Sequence, residues 1–238
     1  MTWCLVGSEM CIRDSTNIVN ESIAILRKAV SLKKGIVFST SLGIEDQVIT
    51  HLICRNSLPV EFFTLDTGRL FPETLNLIRE TENTYQIKIK VYYPITEEVE
   101  RYVSINGING FYESKAQRLQ CCEIRKVSSL KRALVGKNAW ITGMRREQSE
   151  NRSDLKEEEM DEVNNIRKFH PLINWKRDFM LRYVINEAIP INPLHHKGFN
   201  SIGCAPCTRP IKSYEKERDG RWWWENELEP KECGLHAK

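Results

Sequence analysis

No apolar run in this chain approaches the roughly 18 residues that a membrane-spanning helix requires, so no membrane segment is expected. Neither G-x-x-x-x-G-K-[ST] nor G-x-G-x-x-G occurs, which argues against a Walker phosphate loop and a dinucleotide fingerprint. Excess charge is scarce: the net charge is +3 over 238 residues, too small to make nucleic acid the main partner. The N-terminus has neither the basic start nor the continuous apolar centre of a signal peptide. Disorder throughout the chain is also excluded, because hydrophobic residues make up 41% and charged residues 28%, ordinary values for a globular protein. The length suits one domain with a small appendage.

Cysteine is present in a suggestive arrangement. The first fifteen residues hold Cys4 and Cys11 in no helical or strand pattern, and Ser8–Ser15 resembles a translated sequencing adapter. Residues 1–15 are therefore set aside as a non-native or disordered segment. Of the remaining cysteines, Cys121 and Cys122 are adjacent, Cys204 and Cys207 form a C-x-x-C pair, and Cys233 stands near the C-terminus. Disulfide frameworks belong mostly to small secreted chains, so a reducing cytoplasm with a metal or redox site is the better expectation. Two close pairs can offer four thiolates to zinc or to an iron–sulfur cluster, and buried free thiols are a third reading. Adjacent cysteines must turn both sulfurs toward one centre, which a cluster accommodates more easily than a single ion.

The rest of the chain reads as an alternation of helices and strands. Asn17–Lys33 has helical apolar spacing, Ile36–Phe38 is a short buried strand, and Ile44–Cys54 is a second helix. Val60–Leu65 and Ile87–Tyr93 read as strands, with a helix opened by Pro72 between them. Ala139–Thr142 and Ile166–Leu172 supply two more strands, and Arg177–Ala188 another helix. This order predicts an α/β fold with a mostly parallel twisted sheet flanked by helices. Asp154–Asn165 is expected to be an exposed acidic stretch, Glu97–Phe111 has no clear period, and His195-His196 is expected in a polar loop. Loops at the carboxyl ends of parallel strands form the ligand crevice. Ser39–Gly43 and Asp66–Phe71 would face it, the first also as an anion site at a helix start. Gly143–Arg152, with Arg145, Arg146 and Arg152, is a second place for an anion. Cys233 follows a basic and aromatic stretch, Arg218–Trp224, and precedes His236 by three residues. Nearby cations would favour its thiolate.

Taken together and in order, these motifs resemble the assimilatory adenylyl-sulfate reductases of the phosphoadenylyl-sulfate reductase family. The resemblance rests on Ser39–Asp46, Leu65–Thr74, Cys121–Lys126, Thr142–Arg145, Gly203–Pro210, Arg221–Trp224 and Glu232–His236. It implies an adenine-nucleotide α-hydrolase-like fold over residues 16–212 and a mobile catalytic tail over 213–238. It implies one four-iron, four-sulfur cluster per chain on Cys121, Cys122, Cys204 and Cys207. Nucleotide binding would fall to Ser39, Thr40, Ser41, Gly43, Leu65, Asp66, Gly68, Arg69, Gly143 and Arg145. Lys126, Arg218, Arg221 and His236 would surround the sulfate, and Cys233 would be the nucleophile. The implied activity is thioredoxin- or glutaredoxin-dependent reduction of adenylyl sulfate to sulfite and AMP through an S-sulfocysteine. That activity belongs to sulfate assimilation and cysteine biosynthesis, in a cytoplasmic homo-oligomer. Phosphoadenylyl-sulfate reduction is the nearest alternative, and a nucleotide-binding iron–sulfur module without catalysis is another.

Overall fold

Five short strands carry apolar residues in consecutive positions: β1 (Ile36–Ser39), β2 (Glu61–Leu65), β3 (Ile89–Tyr92), β4 (Ala139–Ile141) and β6 (Ile166–Phe169). In the computed structural model they join β5 (Glu158–Asp161) in one sheet of order β3-β2-β1-β4-β6-β5. The structure describes residues 5–149, 152–225 and 235, with side chains from residue 16 onward. All pairings are parallel except that of β5 with β6.

Successive strand residues point to opposite faces, and here both faces are buried. Phe38, Phe62 and Ile141 enter one core with helix α1 (Leu5–Val30), α2 (Ile44–Arg55) and α7 (Arg177–Asn186). Their neighbours Val37, Phe63 and Trp140 enter the other, against Leu130 and Leu134 of α6 (Ser128–Leu134). Burial on both faces explains why these strands read as apolar runs rather than alternating ones. Helix α3 (Pro72–Tyr85) opens with Pro72 and Glu73 in its first turn, as expected.

Three expectations need correction. Helix α1 begins at Leu5, so residues 5–15 continue a helix that was expected from Asn17. Glu97–Phe111 contains α4 (Thr96–Asn106) and a short 3₁₀ turn at Gly110–Tyr112. The acidic stretch at 154–165 contains β5, whose charged residues find partners. Asp161 is buried and lies 3.2 Å from Lys168, Glu159 is 3.3 Å from His170, and Glu158 is 2.7 Å from Lys28. Charges paired at a sheet edge hide a strand from any apolar period. Among the described residues no helix is long and apolar enough to cross a membrane.

Candidate active site

The strand order reverses between β1 and β4, and a parallel sheet opens its ligand crevice at such a switch point. The loops that follow β1 and β4 line a cleft there, which extends to the segments at residues 200–203 and 217–221. Ser39, Thr40, Ser41, Gly43, Leu65, Gly143, Lys126, Arg218 and Arg221, all expected at the site, do line it.

One end of the cleft is rich in hydrogen-bond acceptors. Ser41 donates both its N–H and its hydroxyl to Asp46 Oδ2, each at 2.6 Å. Burial raises the Asp46 carboxyl to about 7, even though both Ser41 bonds oppose the shift. Gly143 permits this packing, since a Cβ there would come within 2.1 Å of Asp46 Oδ1. Glu45 and Glu217 also line this end. Burial pushes Glu45 up most strongly, but the Arg145 charge together with hydrogen bonds from the backbone, Arg145 and Gln148 holds the carboxyl below its ordinary value. Glu217 is raised, first by burial and then by Glu45.

The other end is cationic and adjoins the thiols. Lys126, Arg218 and Arg221 line it. Gly203 makes room for Arg221, because a Cβ at that position would lie 2.3 Å from the guanidinium. Arg221 stacks on the buried Trp222 ring at 4.7 Å, and Arg118 lies 4.6 Å from the same ring. Arg118 in turn holds Glu225 with two bonds of 2.7 and 2.8 Å. Such cation–π contacts restrict where each guanidinium can sit.

The two cysteine pairs meet in this region. Helix α5 (Lys115–Cys122) runs into a π-helical turn at Glu123–Val127 before α6 begins. A π turn alters the angular spacing of successive side chains and is frequent at functional sites. Here Arg125 turns inward to donate to the Thr67 carbonyl at 2.7 Å, while Lys126 reaches the cleft. Cys121, Cys204 and Cys207 pack with Phe111 and Trp222, and Arg118 hydrogen-bonds Cys122. Thr67 Oγ1 lies 3.2 Å from Cys204 Sγ. Burial raises the Cys204 thiol, but Lys126, the Thr67 bond, Arg221 and Arg125 together leave it below its usual value. Cys207 is pushed up to about 12 by burial and by Cys204. Among the described residues no group of three or more His, Cys, Asp and Glu is placed to hold a single metal ion.

Four expected nucleotide-binding residues do not line the cleft. Asp66 accepts the Gly68 N–H at 2.8 Å in a tight turn, with Gly68 at a φ of 70°. Arg69 donates to Ile108 O and Asn109 Oδ1 and lies over Phe111, which ties it to the thiol side of the molecule. Arg145 is fully buried among carboxylates. Cys233 and His236 lie outside the described residues. Their neighbour Leu235 lines the cleft and packs against the core cluster of Val37, Leu130 and Trp140.

Sequence reasoning singled out none of Asp46, Thr142, Gln148, His195 or Glu217 for this site, and it left Arg152 as one arginine among several. All six line the cleft. Arg152 bonds Gln148 in the connection between β4 and β5. His195 Nδ1 pairs with the Phe199 carbonyl at 2.7 Å, so it must carry the proton, and Nε2 is left as an acceptor.

Comparison with known proteins agrees with this geometry. The phosphoadenosine phosphosulfate reductase domain matches residues 35–210. Adenosine 5′-phosphosulfate reductase of Sinorhizobium fredii is 55% identical over 84% of this chain and 80% of its own length. The enzyme of that name from Allochromatium vinosum is 48% identical over 91% of this chain and 84% of its own. Among solved structures, phosphoadenylyl-sulfate (PAPS) reductase from Candida auris, in a phosphate complex, superposes with a TM-score of 0.68. That match has 29% identity and covers 79% of this chain and 90% of that one. Candida glabrata FMN adenylyltransferase with ATP, 18% identical with a TM-score of 0.57 over 95% of this chain and 75% of its own, shares the fold. The chain belongs to the phosphoadenosine phosphosulfate reductase family, and its high-identity relatives there are the adenosine 5′-phosphosulfate reductases.

Proposed function

We propose that the protein reduces adenylyl sulfate to sulfite and AMP, with a thioredoxin-type dithiol as the electron donor. The observation that carries this reading is the polarity of the cleft. Adenosine presents its donors on the ribose hydroxyls and the amino group, whereas phosphosulfate presents only acceptors. The acceptors Glu45, Asp46 and His195 fit the nucleoside, and Lys126, Arg218 and Arg221 fit the anion. The substrate's sulfur would then lie at the cationic end, on the side of the thiols.

In this reading the Cys233 thiolate attacks that sulfur. A sulfur–sulfur bond forms, the sulfur–oxygen bond to AMP breaks, and the phosphate oxygen leaves with its electron pair. Lys126, Arg218 and Arg221 offset the charge that grows on the leaving phosphate and the sulfonyl oxygens. A thiolate of the partner then attacks Cys233 Sγ, sulfite departs, and the partner's second thiol resolves the mixed disulfide. The two electrons come from that dithiol. Leu235 supports the assignment, since it lines the cleft two residues beyond Cys233 in sequence.

Cys121, Cys122, Cys204 and Cys207 fit a four-iron, four-sulfur cluster by donor type and surroundings. All are sulfur donors, three of them pack in one buried cluster, and Lys126, Arg221 and Arg125 favour the thiolate of Cys204, while burial raises Cys121 and Cys207. When bound, the cluster would supply a fixed, polarising group beside the anion end. The test of the function is sulfite release from adenylyl sulfate with thioredoxin as donor, against the 3′-phosphorylated analogue under matched conditions. A higher kcat/KM for adenylyl sulfate is expected, and equal or reversed preference would overturn the substrate assignment.

A further inference from the structure

Arg145 belongs to the Thr-Gly-Met-Arg motif, and the motif alone suggests a guanidinium offered to substrate. The structure gives it no donor to offer. A guanidinium has five N–H donors, and each of Arg145's has an acceptor inside the protein. Nε and Nη2 both donate to Glu45 Oε1, at 3.0 and 2.9 Å. Nη2 also reaches both Glu217 oxygens at 3.0 Å. Nη1 is divided between Glu147 at 3.2 Å and the Trp175 carbonyl at 3.3 Å. The side chain has no exposed surface.

Those partners come from four places in the chain: the first turn of α2, the turn after β4, the segment before α7, and the segment leading toward the C-terminus. The last is the informative one. Glu217 directly precedes Arg218, and both line the cleft. Arg177 adds a second cation 3.4 Å from Glu217, and Glu147 caps α7 by accepting the Arg177 N–H at 2.7 Å. A fully used, buried fork of this kind fixes its partners' positions more tightly than a lysine's rotating donors would. Breaking it leaves carboxylates buried without their counter-ion.

We infer that Arg145 is a positioning residue that acts through Glu217. It latches the segment bearing Arg218 and Arg221 to the start of α2, so that the anion end of the cleft is assembled in register with the nucleoside end. The inference rests on the proposed function for its effect on rate, but the latch itself is a property of the fold and can be measured without turnover.

The test is a double-mutant cycle of Arg145→Gln and Glu217→Gln in the full chain, read in two ways. The first is hydrogen exchange of amides 211–224, with and without AMP. Each single variant should speed exchange there at least tenfold, and the double variant should be no faster than the worse single, because both remove the same link. The second is the rate at which adenylyl sulfate modifies Cys233 in a single turnover. Glu217→Gln should lower the saturating rate about tenfold while AMP affinity changes less than threefold, a split that general destabilisation would not produce. Glu217→Gln keeps the side chain's size and hydrogen-bonding oxygen, so it remains informative if Arg145→Gln fails to fold. Unchanged exchange at 211–224 in Glu217→Gln would overturn the latch. So would independent, additive effects in the cycle, which a direct role of Arg145 on substrate would give. If the wild-type protein shows no modification by adenylyl sulfate, the functional reading fails and the exchange result still decides the latch.

Discussion

The two ends of the cleft are built differently. At the acceptor end the polar groups are bound to one another before any ligand arrives: Ser41 to Asp46, Glu45 to Arg145 and Gln148, and Glu217 to Arg145. At the cationic end Arg221 stacks on Trp222 in the space left by Gly203 and donates to the Ile202 carbonyl at 3.3 Å and to Ser201 Oγ at 3.5 Å. In the proposed function, acceptors fixed by internal bonds present a rigid surface to the nucleoside at little cost in reorganisation. On the same reading the cations at the other end offset the charge that grows on the anion during reaction. In the proposed function this contrast separates recognition from chemistry within one cleft, and substitutions at the two ends should therefore fail differently.

The largest effect is expected at the cationic end. Lys126→Ala should reduce kcat/KM for adenylyl sulfate by about 10²- to 10³-fold, the range for losing one donor to developing charge. AMP, which keeps the phosphate but lacks the sulfonyl group, should lose affinity by no more than about tenfold. A comparable loss in AMP binding would place Lys126 in recognition and break the contrast. Cys204→Ser should remove most of the iron and inorganic sulfide from anaerobically prepared protein, about four of each per chain in the wild type. Stoichiometric zinc without sulfide would contradict the cluster.

A smaller effect is expected from Gly203→Ala. The new methyl would occupy space now held by the Arg221 guanidinium. Single-turnover rate should fall about tenfold, on the scale of a misplaced catalytic cation, with AMP affinity preserved. The same substitution at Gly143 would instead push on Asp46 and should weaken AMP binding. The pair of glycines thus tests the two ends with one kind of change.

These differences were only partly visible in the amino-acid order. Parallel strands buried on both faces are legible because they need consecutive apolar residues, and the loops after β1 and β4 follow from their places at strand ends. The adjacent cysteines raise the expectation of an unusual centre, but do not foretell the π turn that separates Arg125 from Lys126. Arg145 looked like a ligand because a motif carries residue type and not the acids at 45, 147 and 217 that consume its donors. Asp46 looked like an ordinary first-turn acid, since its burial depends on Ser41 and on the missing side chain at residue 143. Strand β5 was hidden because its charges are paired across space with Lys28, Lys168 and His170.

The smallest predicted effect concerns Asp46 and pH. Its native carboxyl ionises at about 7, against 3.8 for an ordinary aspartate. Between those values the folded protein holds a proton that the unfolded chain has released, so this group's contribution to stability falls as pH rises through that window. Asp46→Asn removes the dependence. The Tm of the wild type relative to Asp46→Asn should therefore drop by a few degrees between pH 5 and pH 8, measured by calorimetry at constant ionic strength. A difference that does not change with pH would show that the carboxyl ionises normally.

In the proposed function the anion end serves a covalent reaction at Cys233. The most direct measurement is the intact mass of the protein after incubation with adenylyl sulfate and no reductant. A gain of about 80 Da, the mass of SO₃, is expected for a trapped S-sulfocysteine. Peptide mapping should place it on Cys233, and thioredoxin should remove it with release of sulfite. Cys233→Ser should bind AMP and keep its cluster but gain no mass. If the wild type produces sulfite while Cys233 stays unmodified, or Cys233→Ser turns over at the wild-type rate, the mechanism is wrong.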